Sequence, residues 1–269
     1  MDYAIGIDLG GTNVKLVAVT PAGEVLESAS FETRDEPGGD WADRIRRGVL
    51  ALEERRGSRA AWIGVATPGL PSTDGQSVAA LHGRLGGLVG LQWPDLFQTR
   101  APVRVLNDAQ AALVAEAWVG AAIGCRNAVL LTLGTGVGSG VFNDGVLVPN
   151  TEFGQMEIRG RPAERRSAAA ARVRRGLSWK AWAADLDEHL QRIEDLMWPT
   201  LFIIGGGVSK NADKYIPRLT TRTPVVPASL RNDAGIIGAA IVAAEGLTDA
   251  RSTWDDLPAA TRPRTTAEA

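Results

Sequence analysis

An α/β fold built from two domains of like core topology is what this sequence predicts, and three observations carry it. A strand, a glycine-rich hairpin and a second strand open the chain, and the same succession returns about 125 positions later. Three apolar runs each end in a glycine cluster: Asp8 to Asn13 (DLGGTN), Leu133 to Gly138 (LGTGVG) and Gly205 to Gly207 (GGG). Asp108–Val119 reads as an alanine-rich helix directly after a strand, and Asp233–Glu245 as a helix of small residues.

The elements follow in order. Tyr3–Asp8 and Val14–Val19 read as antiparallel strands, and Val25–Thr33 as a third after the turn at Thr20-Pro-Ala-Gly23. Trp41, Ile45, Val49 and Leu52 recur at helical spacing between Asp40, a fitting N-cap, and Gly57, a fitting C-terminal cap. Ala61–Ala66 and Val103–Leu106 read as buried strands, with a helix over Asp108–Val119 directly after the second. Ala128–Leu133 and Val141–Phe142 repeat the opening pattern. A helix over Leu177–Trp198 carries a stripe of Trp182, Leu186, Leu190, Ile193 and Met197, expected to be core. Leu201–Ile204 is the last strand and Asp233–Glu245 the last helix. From about Thr248 the composition turns to Thr, Pro, Ala and Arg, and a disordered tail over 248–269 is expected.

Composition narrows the function classes. The 269 residues are 45% hydrophobic and 22% charged, with 31 glycines, which is a globular composition. A net charge of −2, from 29 basic and 31 acidic side chains, argues against a nucleic-acid partner. No apolar run reaches the roughly 18 residues of a membrane span. The N-terminal MDYAIGIDLGG has neither a basic leader nor a cleavage site, and Cys125 is the only cysteine, so a reducing, cytoplasmic location without disulfides is expected. One cysteine with His82 and His189 leaves too few soft ligands for zinc.

The glycine clusters carry chemistry. A turn without Cβ atoms brings backbone N–H groups close to a phosphate. Gly10, Gly11, Thr12, Asn13 and Lys15 form one such loop, Gly134, Thr135 and Gly136 a second, and Gly206 with Gly207 a third. Asp8, at a strand end beside the first loop, is placed to hold a hydrated Mg²⁺ on a polyphosphate. No GKS or GKT follows any of them and none has dinucleotide spacing, so neither a Walker A loop nor a Rossmann site is expected.

GIDLGGTNVKLVAV, VLNDAQAALVAEAWVGAA, TLGTGVGSGVFNDG, TEFGQMEIRG and FIIGGGVSK together resemble the ROK family of sugar kinases, within the actin-like ATPases. The likeness runs over residues 3–245 and is nearest to the branch that uses polyphosphate or ATP. It implies a duplicated ribonuclease H-like, two-lobed fold with mixed sheets: a small lobe over 1–108 plus 233–247 and a large lobe over 109–232. It further implies transfer of a terminal phosphoryl group from ATP or polyphosphate to a hexose hydroxyl (glucose O6), in a homodimer. By the resemblance Asp108 is the general base, Asn107 a sugar ligand, and Glu152, Gln155 and Glu164 further sugar ligands. Asn107 and Asp108 also read, more simply, as the N-cap of the helix that follows.

The chain departs from the family at three points. Gln155 stands where the family has histidine, and it cannot carry a proton. The zinc motif of many members is absent. Leu81 to Trp93 lacks the sugar-contacting asparagine, leaving His82 and Arg84 as its polar candidates. A different hexose, an amino sugar or a cyclitol therefore stands as the alternative acceptor, and a catalytically weak sugar-binding regulator as the alternative function. For a polyphosphate donor, the candidate basic track is Lys15, Lys210, Lys214, Arg218, Arg222 and Arg231.

Overall fold

The computed structural model describes residues 2–33, 40–81, 85–230 and 237–239. The chain divides into two units, the first reaching Ala115 and including 237–239, the second running from Glu116 to the end of the described stretch.

In the first unit, β1 (Ala4–Leu9), β2 (Asn13–Val19) and β3 (Val25–Glu32) make an antiparallel meander. Helix α1 (Trp41–Arg56) returns the chain to β4 (Trp62–Thr67), parallel to β1. A short hairpin of β5 (Leu70–Pro71) and β6 (Val78–Ala80) and the single-turn helix α2 (Trp93–Phe97) precede β7 (Val103–Asn107), parallel to β4. The sheet order is β3-β2-β1-β4-β7. Alternate residues Ile5, Ile7 and Leu9 of β1 pack with Trp41, Ile45, Val49 and Leu52 of α1, the stripe that the helical spacing selects. Helix α3 (Asp108–Val119) starts directly at the end of β7.

The second unit repeats this plan. β8 (Ala128–Leu133), β9 (Val137–Asn143) and β10 (Val146–Val148) form the meander. A two-strand hairpin of β11 (Glu157–Ile158) and β12 (Arg161–Pro162) leads into the short helices α4 (Glu164–Ser167) and α5 (Ala169–Arg174), then the long helix α6 (Trp179–Met197). β13 (Leu201–Gly205) lies parallel to β8, and β14 (Val225–Pro227) parallel to β13, giving the order β10-β9-β8-β13-β14. Strand for strand, this is the topology of the first sheet, so the duplication and the mixed sheets are borne out.

The α6 stripe is core through Ile193, packed on Val129, Leu131 and Leu133 of β8. It ends there, because Met197 is exposed. Two caps differ from expectation. Asp40 makes no side-chain cap on α1; its carboxylate instead takes Arg47 at 3.2 Å. Ser178, which carries no apolar-stripe signal of its own, caps α6 by accepting from Ala181 N–H.

Among the described residues, no helix is long and apolar enough to cross a membrane. Of the helix expected over Asp233–Glu245, residues 237–239 are described and helical. His82, Arg84, Arg231 and the stretch from 248 lie outside the described residues.

Candidate functional site

In the first unit, β1, β4 and β7 run parallel, so their C-terminal ends share one sheet edge. That edge carries Asp8, the Gly10–Asn13 turn and Asn107-Asp108. Asp8 and Lys15 are register partners on β1 and β2. The turn is fixed from two sides: Gly10 N–H donates to Asn13 O at 3.0 Å, and Thr33 donates to Thr12 O from its backbone and to Gly10 O from its hydroxyl. With Gly10 committed in this way, the N–H groups of Gly11 and Thr12 have no partner among the described residues and are open to an anion.

Asn107 and Gln110 form a reciprocal cap at the start of α3. Asn107 Oδ1 accepts from Ala109 N–H at 3.0 Å, and Gln110 Oε1 accepts from Asn107 N–H at 3.3 Å. The Asn107 amide also donates to Gly69 O at 3.0 Å. The capping reading of Asn107 therefore describes its geometry, and this holds the next residue in place. Asp108 reaches solvent, and its Oδ1 accepts from Ala109 N–H at 2.7 Å. The protein packed around it desolvates the carboxyl and pushes its pKa above the ordinary 3.8, against the lowering effect of that N–H. A base of raised pKa is better matched to proton abstraction near neutrality.

In the second unit, parallel β8 and β13 deliver the other two glycine clusters to one edge. Gly206 (φ +80°) lies so close to β8 that a Cβ there would stand 2.6 Å from Leu133 O. A Cβ at Gly136 would stand 2.6 Å from Glu164 Oε2. Packing demands glycine at Gly206, where the neighbour is rigid backbone; at Gly136 the neighbour is the end of the Glu164 side chain, which can turn aside. Gly134 and Gly207 are not demanded by packing, since a Cβ at either meets nothing within 4 Å; that open space is what an approaching ligand needs.

Glu164 sits at the start of α4 and accepts from Val137 N–H at 3.3 Å, which ties it to the Gly134–Gly136 turn. Glu152 and Gln155, both exposed, flank a 3₁₀ turn over Phe153–Gln155. That turn is anchored on β9: Phe153 N–H donates to Ser139 Oγ at 3.0 Å, and Ser139 Oγ donates to Thr151 O at 2.7 Å. The fold thus gathers Gly134, Thr135, Gly136, Glu152, Gln155, Glu164, Gly206 and Gly207 on the second unit.

His189 joins the two carboxylate-bearing segments. It is fully buried on α6, with Nε2 3.0 Å from Phe153 O and Nδ1 2.9 Å from Ser167 Oγ on α4. A carbonyl only accepts, so Nε2 carries the proton and Nδ1 accepts from the Ser167 hydroxyl. Burial lowers its pKa from 6.5 to about 4, which keeps the ring neutral. Stability from the neutral ring is present above pH 6.5 and is lost as pH falls toward 4. His189→Phe is therefore expected to cost about 1–3 kcal/mol at pH 7, by stranding Phe153 O. It also flattens the stability loss between pH 6.5 and 5, which urea unfolding over a pH series reads directly. An unchanged acid slope in the variant contradicts the assignment.

Sequence reasoning missed Thr33, Gly69, Ser139 and His189. The first three show no local signal. His189 did: with Asp185 it interrupts the buried face of α6 at i, i+4 spacing.

Of the expected basic track, Lys214 donates to Asn211 Oδ1, Arg218 to Lys214 O, and Arg222 stacks 3.4 Å over Trp198 while bonding Glu194 O. Those side chains are engaged within their own surface. Among the described residues, no group of three or more His, Cys, Asp or Glu could hold a metal. Mg²⁺ asks for less, taking one or two carboxylates, waters and substrate phosphates. Half-buried Asp8 beside an open-amide turn fits that donor set.

A family model described as the ROK family matches residues 4–156. The polyphosphate glucokinase of Mycobacterium leprae (strain TN) is 48% identical over 251 residues, 90% of this chain and 75% of that protein. The polyphosphate glucokinase of Mycobacterium tuberculosis (strain CDC 1551 / Oshkosh) is 48% identical over 147 residues, so that the match spans 54% of this chain and 56% of that relative's length. Among solved structures, an inorganic polyphosphate/ATP-glucomannokinase from Arthrobacter sp. strain KM superposes with a TM-score of 0.79 at 41% identity, over 91% of this chain and 99% of that one. With the duplicated meander, the glycine turns and these likenesses together, the chain belongs to the ROK family.

Proposed function

We propose that this protein is a glucokinase-type sugar kinase that transfers the terminal phosphoryl group of polyphosphate or ATP to a hexose hydroxyl, glucose O6 by preference. The observation that carries the reading is Asp108, a solvent-reaching carboxylate of raised pKa held by a capped helix start in a chain of this family. The names of its relatives, polyphosphate glucokinase and polyphosphate/ATP-glucomannokinase, support the donor and the acceptor.

In this reading Asp108 takes the proton of the attacking hydroxyl as the new O–P bond forms. The bond from the terminal phosphorus to the bridging oxygen breaks, and the donor leaves as ADP or as a polyphosphate one unit shorter. On the first unit, the N–H groups of Gly11 and Thr12, with Lys15, offset the charge on the phosphoryl oxygens, and Asn107 keeps one amide N–H uncommitted among the described residues. The second unit carries its own candidates, Thr135 for the phosphoryl oxygens and Glu152, Gln155 and Glu164 for sugar hydroxyls. Mg²⁺, held through water by Asp8, would supply charge neutralisation on the donor phosphates. The proposal includes a cytoplasmic homodimer, which sedimentation analysis tests.

A coupled assay over glucose, other hexoses, amino sugars and cyclitols, with ATP and polyphosphate in parallel, tests the whole reading. Sugar phosphate formation from glucose is the expected result. Sugar binding without transfer to any acceptor overturns it in favour of a regulator. Polyphosphate activity is expected to fall more steeply with added salt than ATP activity, since a longer polyanion engages more charge.

A further inference from the structure

Residues 157–176 hold seven arginines and only two glutamates. The fold does not disperse them. A cavity of about 620 Å³ on the second unit is lined by Arg161, Pro162, Arg165, Arg166, Arg174 and Arg175. Three elements deliver them: β12 brings Arg161, α4 brings Arg165 and Arg166, and the end of α5 brings Arg174 and Arg175. The scaffold is firm. Trp182 Nε1 donates to Ala168 O between α4 and α5, and Ser167 on α4 bonds buried His189.

The charges in this cavity do not cancel. Asp185 takes Arg166 and, at 2.6 Å, Arg175; Glu188 takes Arg166 at 2.8 Å. Arg174 donates to Arg165 O at 3.1 Å and has no acidic partner among the described residues. Arg161 and Arg165 are exposed, with no partner for their guanidinium groups among the described residues. Among the described residues, five cations thus face two carboxylates, an excess of three positive charges in one recess.

Such a recess asks for an anion with several charges in a row. Guanidinium forks match phosphate oxygens two at a time, and the volume exceeds what a single phosphate fills. Among the described residues no aromatic side chain lines the cavity, so they offer it no stacking platform of the kind single-stranded nucleic acid uses. We propose that it is an anchoring site for inorganic polyphosphate, holding the chain on the same short helix that carries Glu164. The proposal rests on the kinase reading for its choice of ligand; the site itself is distinct from the glycine turns, which would grip the terminal phosphate.

The test is the double variant Arg161→Gln/Arg165→Gln, since neither side chain holds the fold. Long-chain polyphosphate, tripolyphosphate and ATP are compared as donors, and binding of long-chain polyphosphate without sugar is measured by calorimetry. The variant is expected to raise the KM for the long chain about tenfold and to leave kcat and the KM values for ATP and tripolyphosphate unchanged. Its log–log salt slope for long-chain binding is expected to be shallower by about 1.4, because two phosphates are no longer neutralised by a guanidinium. An unchanged long-chain KM and affinity overturn the site, as does an equal rise for all three donors. Displacement of the long chain from wild type by polyadenylate or polyglutamate at equal affinity also overturns it, by showing a general polyanion surface. Wild type that binds the long chain but transfers nothing from it defeats the donor reading alone; the affinity difference between wild type and variant still decides the site.

Discussion

Asp108→Asn is expected to lower turnover by about 10²-fold or more, the usual weight of a general base, while its melting temperature at pH 7 stays equal to or above that of wild type. Asparagine keeps the size of the side chain and an oxygen to accept from Ala109 N–H, so the start of α3 is preserved. It cannot accept the hydroxyl proton. The stability half follows from the sign of the pKa shift. Desolvation raises the folded value above 3.8, so between 3.8 and that raised value the folded state binds more protons and stability falls with rising pH. Above this window wild type carries the full penalty of the ionised carboxylate, and the neutral amide does not. Turnover and thermal melting measured side by side check both halves. Near wild-type turnover removes the base; a large drop in melting temperature reassigns Asp108 to structure.

Gly206→Ala is expected to cost about 2–4 kcal/mol and to raise the donor KM at least tenfold. The backbone at Gly206 (φ +80°, ψ 177°) lies in a region that is almost exclusively glycine's, a strain of about 1–3 kcal/mol for alanine. A Cβ would also stand 2.6 Å from Leu133 O and 3.0 Å from Leu133 N, both rigid backbone. Relief requires the ends of β8 and β13 to part, which displaces the Gly134–Gly136 and Gly206–Gly207 turns together. Gly207→Ala is the control for stability, because its Cβ meets nothing within 4 Å and its φ is not in the left-handed region. Urea unfolding of both variants separates the outcomes, with only Gly206→Ala expected to lose stability. Equal unfolding free energies of the two contradict a packing role for Gly206.

What the sequence made legible is what local patterns encode. The two meanders showed themselves because few residues other than glycine turn a chain so tightly after an apolar run, and because both examples share that form. Asp108 read locally only as part of a helix cap after a strand; its candidacy as a base came from the family resemblance. The duplicated sheet order needed the resemblance or the structure, since pairing β1 with β4 and β8 with β13 joins residues more than 50 positions apart. The supports of the site were hidden for the same reason. Thr33 reaches Gly10, Asn107 reaches Gly69 and His189 reaches Phe153 across gaps of 23, 38 and 36 residues. Asp40 shows the converse limit: a good capping residue in a capping position, whose carboxylate is drawn to Arg47 instead. The arginine cavity went unread in the sequence: its net charge depended on which guanidinium groups Asp185 and Glu188, from another helix, would claim.

The proposed mechanism turns on proton abstraction by one desolvated carboxylate, and the pH dependence of kcat/KM for the sugar, at saturating donor, interrogates that step most directly. Wild type is expected to show an acid limb, rate rising with pH, whose midpoint lies above the ordinary aspartate value of 3.8. Asp108→Asn is expected to show low residual activity without that limb. The same limb, at the same midpoint, persisting in the variant would assign the titrating base to another group and contradict the mechanism.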